Sequence, residues 1–392
     1  MDELPFAGCR VLDLSQGVAG PHATMLMALN GADVIKIEPL EGDWCRRLGS
    51  TRGDSSVNFE AFNRGKRSLA IDLKSSAGKT VIHHALEHCD IVVESFRPGV
   101  VKRLGVDFEC VRRVQPQCIY ASISGFGQAG PESRRAAVDS LIQAYSGMMT
   151  MNAAPDGTPH RAGMIIVDVV TGLYAYQAIA AAFIGRLRWG RGALLDVSMM
   201  QSAAAFQAAK IMEFWESGGA PQPLYVPAGS FRTADGHIAI SGMKKEHFES
   251  ICRVLGVPRL AADPRWPGQQ DRLAHGSEIN AVLAREFEKR TVAYWLPLLA
   301  DAGVMAERVR SYGEWLKEPQ VIEANAVEWS ASSPFGQLPL ACLPGVPHSE
   351  RSVAAAPALG QHSVQLLEQM GMTTEWIAEH QACGSIILHI DK

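Results

Sequence analysis

Asp168 is the residue of this chain whose type and setting are best suited to covalent chemistry. It stands in A-G-M-I-I-V-D-V-V-T-G (162–172), where an apolar run delivers one carboxylate to the start of a long helical pattern poor in polar residues. Two roles are open to it. An aspartate before such a run is a good N-cap, because its oxygens accept unpaired amide hydrogens of the first turn. A carboxylate kept ionised by a helix N-terminus, and shielded by Met164, Ile165, Ile166 and Val167, could also attack an acyl group. Asp139 and Gln143 lie at helical spacing and share one face. Asp139 is most simply another cap, but it could orient a reacting group.

Other chemistries have less behind them. The loop S-Q-G-V-A-G-P (15–21) sits where a dinucleotide-binding fold carries its phosphate turn, and Glu38 ends the next strand as a ribose ligand would. The fingerprint G-x-G-x-x-G is absent, so a dehydrogenase is poorly supported, although the helix N-terminus can still attract an anion. His84 and His88 stand four apart, with no third ligand and no H-E-x-x-H; they read as surface or core histidines, and no metal is expected. No G-x-S-x-G elbow occurs. The segment S-I-S-G-F-G-Q-A-G (122–130) follows a predicted strand directly, at the sheet edge where open α/β folds bind ligands.

These side chains need a scaffold, and the chain is long enough to build one. At 392 residues it exceeds one ordinary core, and two domains are expected. Hydrophobic content of 47% and charged content of 20% fit a globular enzyme. A net charge of −4 gives no reason to expect nucleic acid, although Arg46–Arg47, Lys66–Arg67 and Arg134–Arg135 could hold a small polyanion. The eight cysteines form no C-x-x-C pair and no zinc-like spacing, so reduced thiols and a cytoplasmic location are expected. Met1–Leu12 lacks the pattern of a secretory signal. The apolar run Leu173–Gly185 is too short to span a bilayer, so no membrane association is expected.

The positioning elements alternate. Strands are predicted at Cys9–Leu14, Asp33–Ile37, Ser68–Asp72, Asp90–Glu94, Cys118–Ser122 and Ala193–Ser198. Helices are predicted from Pro21 to Leu29, from Ser75 or Ser76 through His88, and over Asp107–Val114, Ser140–Met149, Val169–Arg188 and Met199–Glu216. That alternation argues for a mostly parallel sheet covered on both faces. Residues 1–217 read as a large domain. A linker opens at Gly218–Pro227 and leads into a smaller domain to residue 329, with a hairpin over Ser230–Ser241 around A-D-G-H. Its helices are predicted at Lys245–Leu255, Glu278–Glu288 and Val292–Ala302. Residues 330–392 complete the large domain: the Pro- and Ser-rich Ser330–Ala356, then helices at His362–Met370 and Thr373–His380.

Over nearly its whole length the chain resembles the class III coenzyme A transferases, the family of formyl-CoA and carnitine-CoA transferases. The matching blocks are V-L-D-L-S-Q-G-V-A-G-P, G-A-D-V-I-K-I-E, N-R-G-K-R-S-L-A-I-D-L-K, V-V-E-S-F-R-P-G, S-G-F-G-Q-A-G-P, D-S-L-I-Q-A-Y-S-G and V-D-V-V-T-G, with A-D-G-H-I-A-I, D-P-R and L-G-Q-H further on. Their order and spacing carry the likeness. It implies an α/β fold: a Rossmann-like large domain, an inserted smaller α+β domain and an interlocked homodimer with the active site near the subunit interface. It implies that Asp168 is the nucleophile, passing CoA from an acyl-CoA thioester to a carboxylic acid through aspartyl anhydride and aspartyl-CoA thioester intermediates, with Asp139 orienting it. CoA is then a substrate, and no permanently bound cofactor is implied. The CoA would lie along Val18, Ala19, Ile71, Asp72, Leu73, Lys74, Ser95, Phe96, Arg97 and Arg103.

Departures from the family pattern narrow the reading. Val18 replaces a glutamine that contacts the reacting groups in some members, Pro39 a basic residue, and Ala136 a lysine; Arg46 or Arg135 is the expected substitute. The glycine-rich substrate loop of the formyl-CoA enzyme is missing, with only Ala228–Gly229–Ser230 near its place, so formate and oxalate are not favoured. His160, Arg161 and Arg135 are available for a second carboxylate, and a small dicarboxylate such as succinate is the expected acceptor. Two rivals stand beside this: a 2-methylacyl-CoA racemase, whose histidine before the Asp139 position is Val138 here, and a non-catalytic CoA-binding protein.

Overall fold

A computed structural model of the chain describes residues 4–154, 156–219, 223–345 and 355–389. Contacts divide it into two compact units, Met1–Ala208 with Val327–Lys392, and Ala209–Ala326. The first break falls nine residues before the linker expected at Gly218, of which residues 220–222 lie outside the described residues.

The larger unit is built on a seven-stranded sheet. Its strands are β1 (Arg10–Asp13), β2 (Asp33–Glu38), β3 (Arg67–Ile71), β4 (Ile91–Glu94), β5 (Ile119–Ser124) and β6 (Ala193–Ser198), in the spatial order β3-β2-β1-β4-β5-β6. All six are parallel; the short strand Ile386–Ile387 pairs antiparallel outside β3. This is the order of doubly wound sheets, whose switch point falls between the first and fourth strands. Successive residues point to opposite faces, so Leu12, Ile35, Val92 and Tyr120 enter one core with the helices Ser76–Glu87 and Ser363–Gln369. Val11, Val34, Ile91, Val93, Ile119 and Ala121 enter the other, against helices α1 (Ala19–Leu29) and α3 (Ile166–Trp189). A further helix, α2 (Asp139–Tyr145), precedes α3 and packs on it.

Three expectations on this unit need correction. Ser140–Met149 is two helices, because Gly147 adopts φ +77° and ends the run after α2. Met199–Glu216 also breaks, at Gln207, whose side chain turns back to Ser146 and the Ala203 carbonyl. The helix expected over Val169–Arg188 begins three residues earlier and runs for 24 residues, with an 18-residue window of mean hydropathy 1.5, long and apolar enough by length and composition to cross a membrane, unlike the run Leu173–Gly185 read alone. A hairpin of Val327–Ser333 and Gly336–Ala341 overlaps the Pro- and Ser-rich Ser330–Ala356, where no element is predicted from sequence.

The smaller unit carries a three-stranded antiparallel sheet of Ala228–Arg232, His237–Ser241 and Met305–Arg308. Phe231, Ile238, Phe248, Trp266, Phe287 and Trp295 form its core with helices including Lys245–Val254, Gly276–Phe287 and Val292–Asp301. Ala228, Gly229 and Ser230 are therefore strand residues, not a substrate loop.

Candidate active site

The loops at the carboxyl ends of β1, β2 and β4 are held from below by buried charges. Asp13 is fully buried; it accepts from Ser15 N, Ser15 Oγ, Thr24 Oγ1 at 2.7 Å and Lys66 Nζ at 3.0 Å. Lys36 Nζ donates to the Ser15 carbonyl at 3.0 Å and pairs with Asp43 at 2.8 Å. Asp43 in turn accepts from Gly17 N. Gly17 sits at φ +84° with Trp44 so close that a Cβ would lie 2.3 Å from its ring, so only glycine fits this turn. These contacts fix Val18 and Ala19 at the start of α1. On the β4 side, Ser95 Oγ accepts from Gln16 N at 2.9 Å, and Phe96 N donates to buried Glu94 at 2.8 Å. Glu94 also bonds Ser122, and burial pushes its carboxyl up to about 7.

Between these loops opens a cleft of ≈ 510 Å³, lined by Val18, Ala19, Trp44, Ser95, Phe96, Arg97, Arg135, Val138 and Asp168 among others. It lies at the carboxyl edge of the sheet, at the switch point between β1 and β4, where doubly wound sheets bind ligands. Ile71, Asp72, Leu73, Lys74 and Arg103 do not line it. Ile71 is core, Asp72 accepts from the Lys74 amide, and Lys74 and Arg103 are exposed charges.

Asp168 is not the cap of its helix. α3 begins at Ile166, which puts Asp168 in the third position, and Asp139 supplies the cap from another element. Its Oδ2 accepts from Val167 N at 2.7 Å and Asp168 N at 3.1 Å, while its Oδ1 accepts from Gln143 Nε2 at 2.5 Å. Gln143 Oε1 closes the bracket on Ala162 N at 2.9 Å. The shared face of Asp139 and Gln143 is thus realised as a brace on the backbone of Asp168. The Asp168 carboxyl itself has no hydrogen-bond partner among the described residues and stays on the cleft wall.

Its charge state differs from the expectation. Burial, and secondarily the Asp139 carboxylate, raise the Asp168 carboxyl to about 7. A helix N-terminus favours an anion by about 0.3–1 kcal/mol, whereas a rise of that size corresponds to about 4 kcal/mol. Desolvation wins, so the group is shared between acid and carboxylate at neutral pH. A weakly solvated carboxylate of raised basicity is a better nucleophile than an ordinary aspartate.

One other expected role fails, that of Arg46. Arg46 is buried, bidentate to Glu38 at 2.7 Å on both bonds and stacked on Phe59, so it cannot reach a ligand. For the same reason Glu38 cannot hold a ribose. Arg135 does line the cleft. His160 and Arg161 are exposed but outside its lining. Among the described residues no group of three or more His, Cys, Asp or Glu side chains could hold a metal ion. Sequence reasoning missed Trp44, Glu94 and the Lys36–Asp43 pair; for Lys36 and Glu94 the signal was present as charges in strands otherwise apolar.

A doubly wound sheet with a lone carboxylate over its switch-point cleft fits a class of acyl-handling enzymes, and comparison specifies the class. The pattern of CoA-transferase family III matches residues 6–363, and the chain belongs to that family and is a CoA-transferase. It is 36% identical over 329 residues to the acetyl-CoA:oxalate CoA-transferase of Acetobacter aceti, covering 82% of this chain and 85% of that one. It is 31% identical over 394 residues to the succinyl-CoA:glutarate CoA-transferase of Mus musculus, covering 98% and 90%. A CAIB/BAIF family protein from Brucella suis has a crystal structure matching with a TM-score of 0.83 at 29% identity, over 94% of this chain and 100% of that one.

Proposed function

We propose that this enzyme moves CoA from an acyl-CoA to a small dicarboxylic acid, with Asp168 as the nucleophile. The observation that carries the reading is an unpartnered carboxyl on the wall of the cleft that Val18, Ala19, Ser95, Phe96 and Arg97 also line. An Asp168 oxygen attacks the thioester carbonyl; the C–S bond breaks, CoA leaves as thiolate, and a mixed anhydride remains. The thiolate attacks the aspartyl carbonyl, expelling the donor's carboxylate and leaving an aspartyl-CoA thioester. An acceptor carboxylate attacks that thioester, freeing thiolate and forming a second anhydride. Thiolate then takes the acceptor's acyl carbon, and the Asp168 carboxylate is restored. Electrons balance throughout, and no net proton transfer is required. Asp139 acts by fixing the backbone of Asp168, and Arg97 is suited to hold an anionic part of CoA. Relatives named for oxalate, glutarate and succinyl-CoA favour a dicarboxylate. The first of these removes the ground for setting oxalate aside.

Racemisation is disfavoured because the position before Asp139 is Val138, exposed on the cleft wall, and no histidine lines the cleft among the described residues. We further propose a homodimer. The outer side of α3, with Leu173, Ile184, Leu187 and Trp189, and the edge strand β6, with Leu194, expose apolar surface of the kind a second copy covers. Initial-rate measurements with acetyl- or succinyl-CoA against oxalate, succinate and glutarate test the transfer. Parallel double-reciprocal lines are expected, and activity intact in Asp168→Ala would refute the mechanism.

A further inference from the structure

The cleft wall that carries Asp168 bears two cations, Arg97 and Arg135. Arg97 follows β4 beside Ser95 and Phe96, on the side assigned above to the carrier. Arg135 stands instead four residues before Asp139, on the segment that enters α2 and braces the Asp168 backbone. Its guanidinium lies 5.6 Å from the Phe126 ring centroid and 5.7 Å from that of Tyr145, two rings that meet edge-on at 5.0 Å. One tether remains polar, a 3.2 Å pair with Glu132 in which both side chains are exposed. Aromatic faces orient a guanidinium without satisfying its hydrogen bonds. A solvated pair with a neighbouring carboxylate is weak and easily exchanged for another carboxylate. The side chain is thus presented to the cleft with its fork open to exchange.

We infer that Arg135 binds the distal carboxylate of the dicarboxylic substrate and so selects diacids over monoacids, a reading that rests on the transfer reaction proposed above. In any diacid, one carboxyl group must reach Asp168 as the reacting acyl group or acceptor. The second then needs a cation on the same wall, and a bidentate guanidinium matches it in charge and geometry. Because donor and acceptor occupy the acyl position in turn, the same residue serves succinyl-CoA in one half-reaction and a free diacid in the other.

The test compares chain-matched substrates in wild type, Arg135→Gln and Arg135→Lys. Glutarate is set against pentanoate as acceptor, and succinyl-CoA against butyryl-CoA as donor, with thermal melts to check folding. In wild type the diacids are expected to be preferred. In Arg135→Gln, kcat/KM for glutarate and succinyl-CoA should fall roughly 10- to 100-fold, mostly through KM, while pentanoate and butyryl-CoA change little. Arg135→Lys should recover part of the preference. An equal fall for succinyl-CoA and butyryl-CoA with the preference intact would make Arg135 a carrier contact and overturn the inference. A preference that survives Arg135→Gln with rates unchanged, or is absent from wild type, would overturn it as well. Wild type that transfers CoA between no donor and acceptor would instead overturn the reaction itself, before any variant is compared.

Discussion

At the scale of single residues, the proposed chemistry turns on the protonation of Asp168. Burial and Asp139 raise its carboxyl to about 7, and attack requires the carboxylate. Donor kcat/KM is therefore expected to climb with pH below 7 and level off above it, as a pH–rate profile will show. Asp139→Asn removes the like charge, so the inflection should move toward lower pH even as the weakened brace lowers the rate. Stability follows the opposite course. A carboxyl raised on folding keeps its proton in the native chain when the unfolded chain has lost it, so stability is greatest below the unfolded value near 4 and declines as pH rises through 7. Asp168→Asn is expected to stabilise the protein at pH 8, by about 4 kcal/mol at most and in practice roughly 1–3 kcal/mol. Urea melts should show little gain at pH 4.

At the scale of elements, position depends on two close approaches. Gly172 of α3 faces α1, and a Cβ there would lie 2.7 Å from His22 Nδ1 and 2.9 Å from the Ala19 carbonyl. Gly172→Ala should cost about 1–3 kcal/mol in denaturant melts, because the helices must separate or shift. It should also raise KM for acyl-CoA, since Ala19 and Val18 move with α1. The core strands were legible because apolar residues alternate between two covered faces, as Val11 and Leu12 do. Helix ends at Ser75 and Asp107 were legible because their side chains cap locally. The cap of α3 was not. Asp139 lies 29 residues from the amide it serves, and no local pattern encodes that bond. The breaks at Gly147 and Gln207 were missed for a related reason: helical periodicity continues through them, and one depends on a side chain reaching Ser146.

At the scale of the whole molecule, the sheet order places β1 and β4 side by side and turns their loops into one cleft. The alternation of strands and helices foretold a parallel sheet, but Ile71, Asp72, Leu73, Lys74 and Arg103 were placed by motif likeness alone and fall outside the cleft lining. Arg46 shows why residue type is a poor guide to reach. As a basic residue after β2 it suited a phosphate, yet the fold spends it on Glu38. Arg46→Met should therefore cost about 3–5 kcal/mol of stability by leaving Glu38 buried without its partner. The double variant with Glu38→Gln should regain part of that loss in thermal melts.

The proposed reaction requires a covalent bond to Asp168, and that bond can be trapped. The enzyme is incubated with an acyl-CoA, quenched with hydroxylamine, digested and mapped by mass spectrometry. An acyl-CoA-dependent hydroxamate on the peptide carrying Asp168, absent from Asp168→Ala, is the predicted result. Active enzyme turning over acyl-CoA with an unmodified Asp168 peptide would contradict it.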